Sequence, residues 1–480
     1  MTWTAAQVAE RCGGALHGAA DAAISGVSTD TRTLGAGDLF VAIAGENFDG
    51  HDYARSAAES GAAAVLVSRP VDSGVPEIRV DDTIAALGRF AASERELFSG
   101  PVVAITGSNG KTTTRELCAD VLEAAGLRTR RSPGNLNNHI GLPISILGLR
   151  PGDDVLVVEL GMNHPGEIDA LSRIASPDVA AITQVAAAHL GPMGSLEAIA
   201  AAKGEILDHL RPDGTAVLNA DDARVLSQRH RFAGRTLLFG FGEAAEFRAS
   251  GVEPAGAETR FRLDTPLGST NVSLALPGCH LVQDALCACA AAFATGRLPA
   301  GRPGEDGAAL DAMRRALEAF RGVPGRTCLG ELPGGVRLLD DAYNANPHSV
   351  AAALRALAQL RGGGRCVAVL GDMAELGAEG PALHAQTGRL AAESGVDALL
   401  GVGALSEHTV EAAREAGVSH TAHAGDTDRA AEILGQWLRD GFGGGLGDRL
   451  GAGDVVLVKG SHSMHMERIP AGLAGAAGND

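Results

Sequence analysis

The chain is 480 residues long, and at roughly 100–200 residues per domain it accommodates two to four domains. Hydrophobic residues make up 45% and charged residues 20%, which excludes a disordered chain, and only 3% is aromatic, so the cores are expected to be built from Ala, Val, Leu and Ile. A formal net charge of −18 argues against nucleic-acid binding, which rests on Lys and Arg neutralising phosphates, but leaves room for a local phosphate site of backbone N–H groups, one lysine and a cation.

The opening MTWTAAQVAERCGG reads as an amphipathic helix with no signal-peptide apolar block. No run of about 18 uncharged apolar residues follows anywhere, so no membrane span is expected. The first region, 1–99, is expected to be a small α/β unit. Its elements are a strand at Gly26–Ser28, a polar turn at Thr29–Gly37, a strand at Asp38–Ile43, a helix at Tyr53–Ser60 and a strand at Ala63–Val67. The second, 100–324, opens with the β-branched run Val102–Thr106, a Gly-rich turn and a helix from Thr112 to Ala125. Apolar runs at Val155–Glu159, Val179–Thr183 and Thr215–Leu218 then alternate with helix-like stretches, which predicts a mostly parallel sheet with helices on both faces. Phe320–Arg326 (FRGVPGR) reads as a linker. The third region, 325–480, alternates strands at Arg337–Asp341, Cys366–Leu370, Ala398–Val402 and Val455–Lys459 with helices and ends in a loose Gly/Ala-rich tail. The seven cysteines have no paired metal spacing and read as buried small hydrophobes in a reducing compartment.

The most informative stretch is VVAITGSNGKTTTRE. A hydrophobic strand runs into Gly107, Ser108, Asn109, Gly110, Lys111 and Thr112, followed by Thr113 on a helix. Gly107 and Gly110 can take positive φ, which lets successive N–H groups point at phosphate oxygens, and the helix N-terminus adds partial positive charge. Lys111 would reach the β and γ phosphates and the Thr112 hydroxyl would ligate Mg²⁺. The strict G-x4-G-K-[ST] pattern fails, because its first glycine would fall at Ile105; the loop is the shorter G-x-x-G-K-T form.

With this loop, further segments resemble the Mur ligase family in the right order from about residue 25 to 469. They are VSTDTRTLGAGDLFVAIAGENFDGHDY, GNLNNHIGLP, VVELGMNHPGEI, AAKGEI, LNADD, LLDDAYNANPHSV, VLGDMAELG and LVKGSHSMHMERI. The resemblance implies three domains: a UDP-sugar-binding α/β domain, a central P-loop ATPase domain and a C-terminal Rossmann-like domain. It also implies an ATP- and Mg²⁺-dependent amide-bond ligase. The terminal carboxylate of UDP-MurNAc-tripeptide is phosphorylated by ATP, and the amine of D-Ala-D-Ala then displaces phosphate, in peptidoglycan precursor synthesis. A monomer in the cytoplasm is expected, where ATP and the UDP-linked precursors reside.

By the same resemblance, Lys111, Glu159, His189 and Lys203 are the catalytic set. Thr112, Glu159, His189 and a carbamylated Lys203 hold magnesium. Without the resemblance, Lys203 would read as a helix-surface lysine paired with Glu205. The nucleotide is expected near Asn219, His280, Asp284 and Arg326, with Asp340 or Asp341 at the ribose. The UDP end is expected at Ser28, Thr29, Asp30 and Arg32, with Asn47, Phe48, Asp49 and Gly50 nearby. Asn137 and Asn138, with Tyr343, Asn344, Asn346, Lys459, Ser461 and His462, are expected to face the peptide substrates.

Asp284 stands where the family carries an asparagine, Gln184 where asparagine is usual and His462 where arginine is common, and Leu281 and Ala187 are also atypical. These departures fit a specialised relative acting on a modified dipeptide as well as the peptidoglycan reaction. A non-catalytic nucleotide-binding protein on this fold would be expected to lack Lys111, Glu159 or Lys203, and all three are present. A folylpolyglutamate synthetase would not account for the first hundred residues.

Overall fold

Three sheets organise the chain. The computed structural model describes residues 2–476 apart from 46, 189, 300–304 and 443–448, with backbone only at 474–476. The first sheet has the strand order Ala15–His17, Glu77–Arg79, Ala64–Val67, Asp38–Val41 and Gly26–Ser28, parallel except at the first strand. Side chains alternate across it as the period of a strand requires. Phe40, Val65 and Val67 meet the short helix Ala54–Glu59, while Leu39, Val41, Leu66 and Ile78 face a larger core.

That larger core does not stop at residue 99. Helix Thr83–Leu97, capped by the Asp82 carboxylate accepting from the N–H groups of Ile84 and Ala85, places Leu87 and Phe90 in one apolar cluster with Val102, Ala104, Leu156 and Val158. It also supplies Arg95, which is fully buried. The Arg95 guanidinium donates to the carbonyls of Ala175 and Ser176 and pairs with Asp178 at 2.6 Å. The sequence reading named no helix here, and this helix joins the first region to the second through a shared core.

The central sheet has nine strands. Its parallel part runs Arg235–Gly240, Thr215–Asn219, Val179–Ile182, Val102–Thr106, Val155–Glu159 and Thr129–Arg131. Val102–Thr106 and Val155–Glu159 are buried at every residue, which is why they read as unbroken apolar runs. Phe247–Ala255, Glu258–Thr265 and Gly268–Leu274 extend one edge as an antiparallel meander. Helices Lys111–Ala124 and Cys279–Ala294 pack on one face of this sheet.

The third sheet runs Cys328–Leu332, Val336–Asp341, Val455–Lys459, Cys366–Gly371, Ala398–Val402 and His420–Ala424, antiparallel only at its first strand. Where a loose tail was expected the described residues form the helix Arg468–Ala476, whose Ile469 and Leu473 are buried against this sheet, and the rest of that tail, 477–480, lies outside the described residues. Five of the cysteines are buried as expected, but Cys279 is exposed and Cys328 half-buried, because both sit at element starts next to the interdomain cleft. Among the described residues no helix is long and apolar enough to cross a membrane.

Candidate active site

The C-terminal ends of the central parallel strands face the third sheet across a cleft of about 510 Å³. The strand Val102–Thr106 lies between Val179–Ile182 and Val155–Glu159, so the loop that follows it opens at the middle of this edge, where ligands of such sheets gather. Gly107 has φ +152° and Gly110 φ +81°, and Gly110 directly precedes the helix. Neither tolerates a side chain: a Cβ on Gly107 would lie 1.8 Å from Thr183 Oγ1, and one on Gly110 2.1 Å from Asp284 Oδ1. The neighbouring strand end holds the loop in shape. Ser108 N–H donates to the Gln184 carbonyl, Ser108 Oγ to that of Ala186 and Thr183 Oγ1 to that of Asn109.

Within the loop Lys111 Nζ donates to the Gly107 carbonyl at 3.0 Å, curling the ammonium back over the loop. Thr112 Oγ1 donates to Glu159 Oε2 at 2.7 Å, and Asn137 Nδ2 donates to Glu159 Oε1 at 2.7 Å. Arg115, one turn along the helix, reaches Glu159 at 3.5 Å. Sequence reasoning missed Arg115, though its spacing of four from Lys111 places it on the same helix face. Burial opposes ionisation of Glu159, but the cations Lys111, Arg326 and Arg115 outweigh it and hold the carboxyl below its usual range. Burial pulls the Lys111 pKa down, with Glu159 pulling the other way.

Lys203 is not a surface lysine. It is 3% exposed, and Glu205, the expected partner, instead accepts from the N–H groups of Gly166 and Asp169. Burial, with Lys111 nearby, pushes the Lys203 amine well below its usual pKa. Among the described residues no carboxylate pairs with it. His189 lies outside the described residues.

The opposite wall comes from the third region. Arg326 stacks on the Tyr343 ring at 3.9 Å, and Tyr343 stacks on His462 at 4.9 Å between ring centroids. Of the two candidate carboxylates, Asp341 faces the cleft, bonded by Lys459 Nζ at 2.6 Å and by the Thr327 N–H, whereas Asp340 accepts from the Ala342 N–H. Lys459 also donates to the Asn344 carbonyl, and Ser461 Oγ accepts from Ala374 N–H, so both hold the turns at the cleft. His280 and Asp284 line the cleft from helix Cys279–Ala294. Burial lowers His280 to about 4 and raises Asp284 to about 7, in the latter case against the pull of Arg326.

Other expected residues lie elsewhere. Asn138 Oδ1 accepts from the Ile140 and Gly141 N–H groups just before and at the start of the next helix, and Asn219 is buried, tying the Thr183 carbonyl to the Asp221 N–H. Ser28, Thr29, Asp30 and Arg32 form a separate turn at the end of the first sheet, where Arg32 holds the Asp30 carboxyl down at about 2. Asp49 accepts from His51 and Arg69, neither of which was singled out in the sequence. Phe48 is 73% exposed beside it; Asn47 is exposed too, and Gly50 packs on the Ile43 backbone.

The donor set at Glu159 suits Mg²⁺. Thr112 and Glu159 offer two hard oxygens, and among the described residues no group of three or more His, Cys, Asp or Glu gathers into a cage. Mg²⁺ characteristically takes one or two protein oxygens and completes its shell with water and phosphate.

Comparison with known proteins covers the whole arrangement. The family profile described as "Mur ligase family, catalytic domain" matches residues 23–95, "Mur ligase middle domain" matches 105–292, and "Mur ligase, glutamate ligase domain" matches 325–462. The UDP-N-acetylmuramoyl-tripeptide--D-alanyl-D-alanine ligase of Escherichia coli is 42% identical over 86% of this chain and 88% of its own length. That of Bacillus subtilis is 34% identical over 93% and 92%. A crystal structure of MurF from Acinetobacter baumannii superposes with a TM-score of 0.87 at 33% identity, covering 99% of each chain. MurF from Thermotoga maritima in complex with ADP gives 0.78 at 28%, covering 92% and 96%.

Proposed function

The chain belongs to the Mur ligase family, and on that premise we propose that it is an ATP-dependent ligase joining D-alanyl-D-alanine to UDP-N-acetylmuramoyl-tripeptide. The observation that carries this reading is its likeness along nearly the whole chain to ligases of that specificity, with the phosphate loop, Glu159 and Lys203 gathered in one cleft. The products are UDP-N-acetylmuramoyl-pentapeptide, ADP and phosphate.

A carboxylate is a poor electrophile, so the reaction first gives it a leaving group. One oxygen of the tripeptide's terminal carboxylate attacks the γ-phosphorus of ATP, and the bond to the ADP oxygen breaks. The amine of the dipeptide then attacks the acyl carbon. The tetrahedral adduct expels phosphate and the nitrogen loses a proton. Bringing polyphosphate and carboxylate together requires cations. Lys111 and the loop N–H groups meet the phosphates, and Arg326 adds charge from the facing domain. Mg²⁺, held by Thr112 and Glu159, would neutralise phosphate charge as the γ group transfers.

Lys203 has a chemistry of its own. Burial lowers the pKa of the Lys203 amine, which favours its neutral, nucleophilic form over the ammonium. Its neutral nitrogen adds to the carbon of CO₂ and releases one proton, which turns the amine into a carbamate anion suited to the cations around it. His189 is the residue proposed to share a second magnesium with that carbamate. The UDP moiety is assigned to the turns at Ser28–Arg32 and 47–50, the adenosine to His280, Asp284 and Asp341, and the acceptor dipeptide to the wall formed by Tyr343, Asn344 and His462. A monomer acting in the cytoplasm, where both nucleotides are made, completes the reading.

Tripeptide substrate labelled with ¹⁸O in its terminal carboxylate tests this. Mass spectrometry should find one labelled oxygen in the released phosphate and the mass of the UDP-pentapeptide in the product. Unlabelled phosphate would rule out the acyl-phosphate route.

A further inference from the structure

One contact ties the phosphate loop to the facing domain through side chains alone. Asn346 Nδ2 donates to Asn109 Oδ1 at 2.7 Å across 237 positions of sequence. Asn346 is 5% exposed and is also the N-cap of helix Pro347–Leu360: its Oδ1 accepts from the Ser349 N–H at 2.9 Å. The cap fixes which end of the Asn346 amide is which, because only Oδ1 can accept from an N–H. Nδ2 therefore has to face Asn109, and Asn109 has to present its oxygen in return.

The consequence falls on the other half of the Asn109 amide. Its Nδ2 is buried and, among the described residues, has no hydrogen-bond partner. The backbone cannot swing it elsewhere, since Thr183 Oγ1 grips the Asn109 carbonyl at 2.6 Å. Both asparagines line the cleft between Lys111 and the third domain. A buried amide donor held in place without an acceptor, beside a phosphate cradle, is matched by an anionic oxygen.

We infer that Asn346 is a positioning residue. Through its bond to Asn109 it turns that side chain so that Nδ2 donates to a phosphate oxygen of the bound nucleotide, and the apposition of the third domain and nucleotide binding reinforce each other. This rests on the reading of Gly107–Thr112 as the nucleotide cradle. It assigns Asn346 to the nucleotide rather than to the acceptor peptide.

The test is the affinity for Mg²⁺-ADP, by calorimetry, of the full chain and of Asn346→Ser, Asn109→Ala and the double variant. Serine caps a helix about as well as asparagine but does not reach Asn109, so the cap and the cross-domain bond are separated. The expected result is about five- to tenfold weaker binding in Asn346→Ser with an unchanged melting temperature in the absence of nucleotide, the effect of one hydrogen bond. The double variant should bind no more weakly than Asn109→Ala alone. Asn346→Ser binding like the parent, or a double variant showing the product of the two single effects, overturns the coupling. So does an affinity loss that tracks a lowered melting temperature. Absence of ADP binding in the unsubstituted chain would instead overturn the nucleotide reading on which the coupling rests.

Discussion

Lys111 and Lys203 look alike in the sequence, each a single lysine before or within a helix, yet their surroundings differ. Lys111 has Glu159 and the loop carbonyl of Gly107 to keep it charged and aimed. Replacing it with Met, which keeps the length but removes the charge, should lower kcat by about a hundredfold or more while leaving the fold intact. Comparable turnover in a folded variant would remove it from the mechanism. Lys203→Ala should lose activity and recover part of it with added small carboxylates such as acetate. No recovery at any concentration, with nucleotide affinity unchanged, would contradict the carbamate role. Asp284 gives a prediction about stability. Its carboxyl is raised from 3.8 to about 7, so the folded protein holds this proton more tightly than the unfolded chain. The associated stability is complete below about pH 4 and is lost as pH rises through 7. Asp284→Asn stays neutral, so its urea-unfolding free energy should gain on the parent by on the order of 2 kcal/mol between pH 5 and pH 8. Parallel pH curves would show that the burial of this carboxyl carries no such cost. Residue types with local chemistry were legible in the sequence: the loop glycines, Lys111 and Thr112. Asn138 and Asn219 were read as ligand contacts because a motif shows identity and not direction; in the structure both side chains bond backbone groups, Asn219 from a buried position and Asn138 at the surface.

At the level of elements, the strands of the central sheet were legible because both of their faces are buried and they read as continuous apolar runs. The meander Phe247–Leu274 was not, since Arg260 and Arg262 alternate with Phe261 and Leu263 and no strand there is apolar throughout. Helix Thr83–Leu97 was missed for a related reason. Its Arg95 looks like a solvent-facing charge, but its ligands, Ala175, Ser176 and Asp178, are some eighty residues away. Arg95→Ala should cost about 3 kcal/mol of unfolding free energy, since it removes the donor of the Ala175 and Ser176 carbonyls and leaves Asp178 with only the Val102 N–H and the more distant Arg211. Hydrogen exchange should then accelerate in residues 83–97 and 175–178 together. A loss below about 0.5 kcal/mol would mean that the apolar core alone joins the two regions. Helix Cys279–Ala294 packs so closely on the phosphate loop that Gly110→Ala, with φ +81° and Asp284 2.1 Å from the new Cβ, should weaken ADP binding by more than about tenfold.

On the scale of the whole molecule, the site exists only where domains meet. Lys111, Glu159 and Lys203 belong to the central region, and Arg326, Asp341, Tyr343 and His462 to the third. Burying the acyl phosphate between them shields it from water, so phosphate release should depend on a filled cleft. The most direct measurement is therefore phosphate release from ATP with UDP-N-acetylmuramoyl-tripeptide and D-alanyl-D-alanine, with each omitted in turn and the product weighed by mass spectrometry. Release that requires both substrates and yields the UDP-pentapeptide is the predicted result. A folded, ATP-binding chain that releases phosphate equally well without the dipeptide, or makes no pentapeptide with it, would contradict the account.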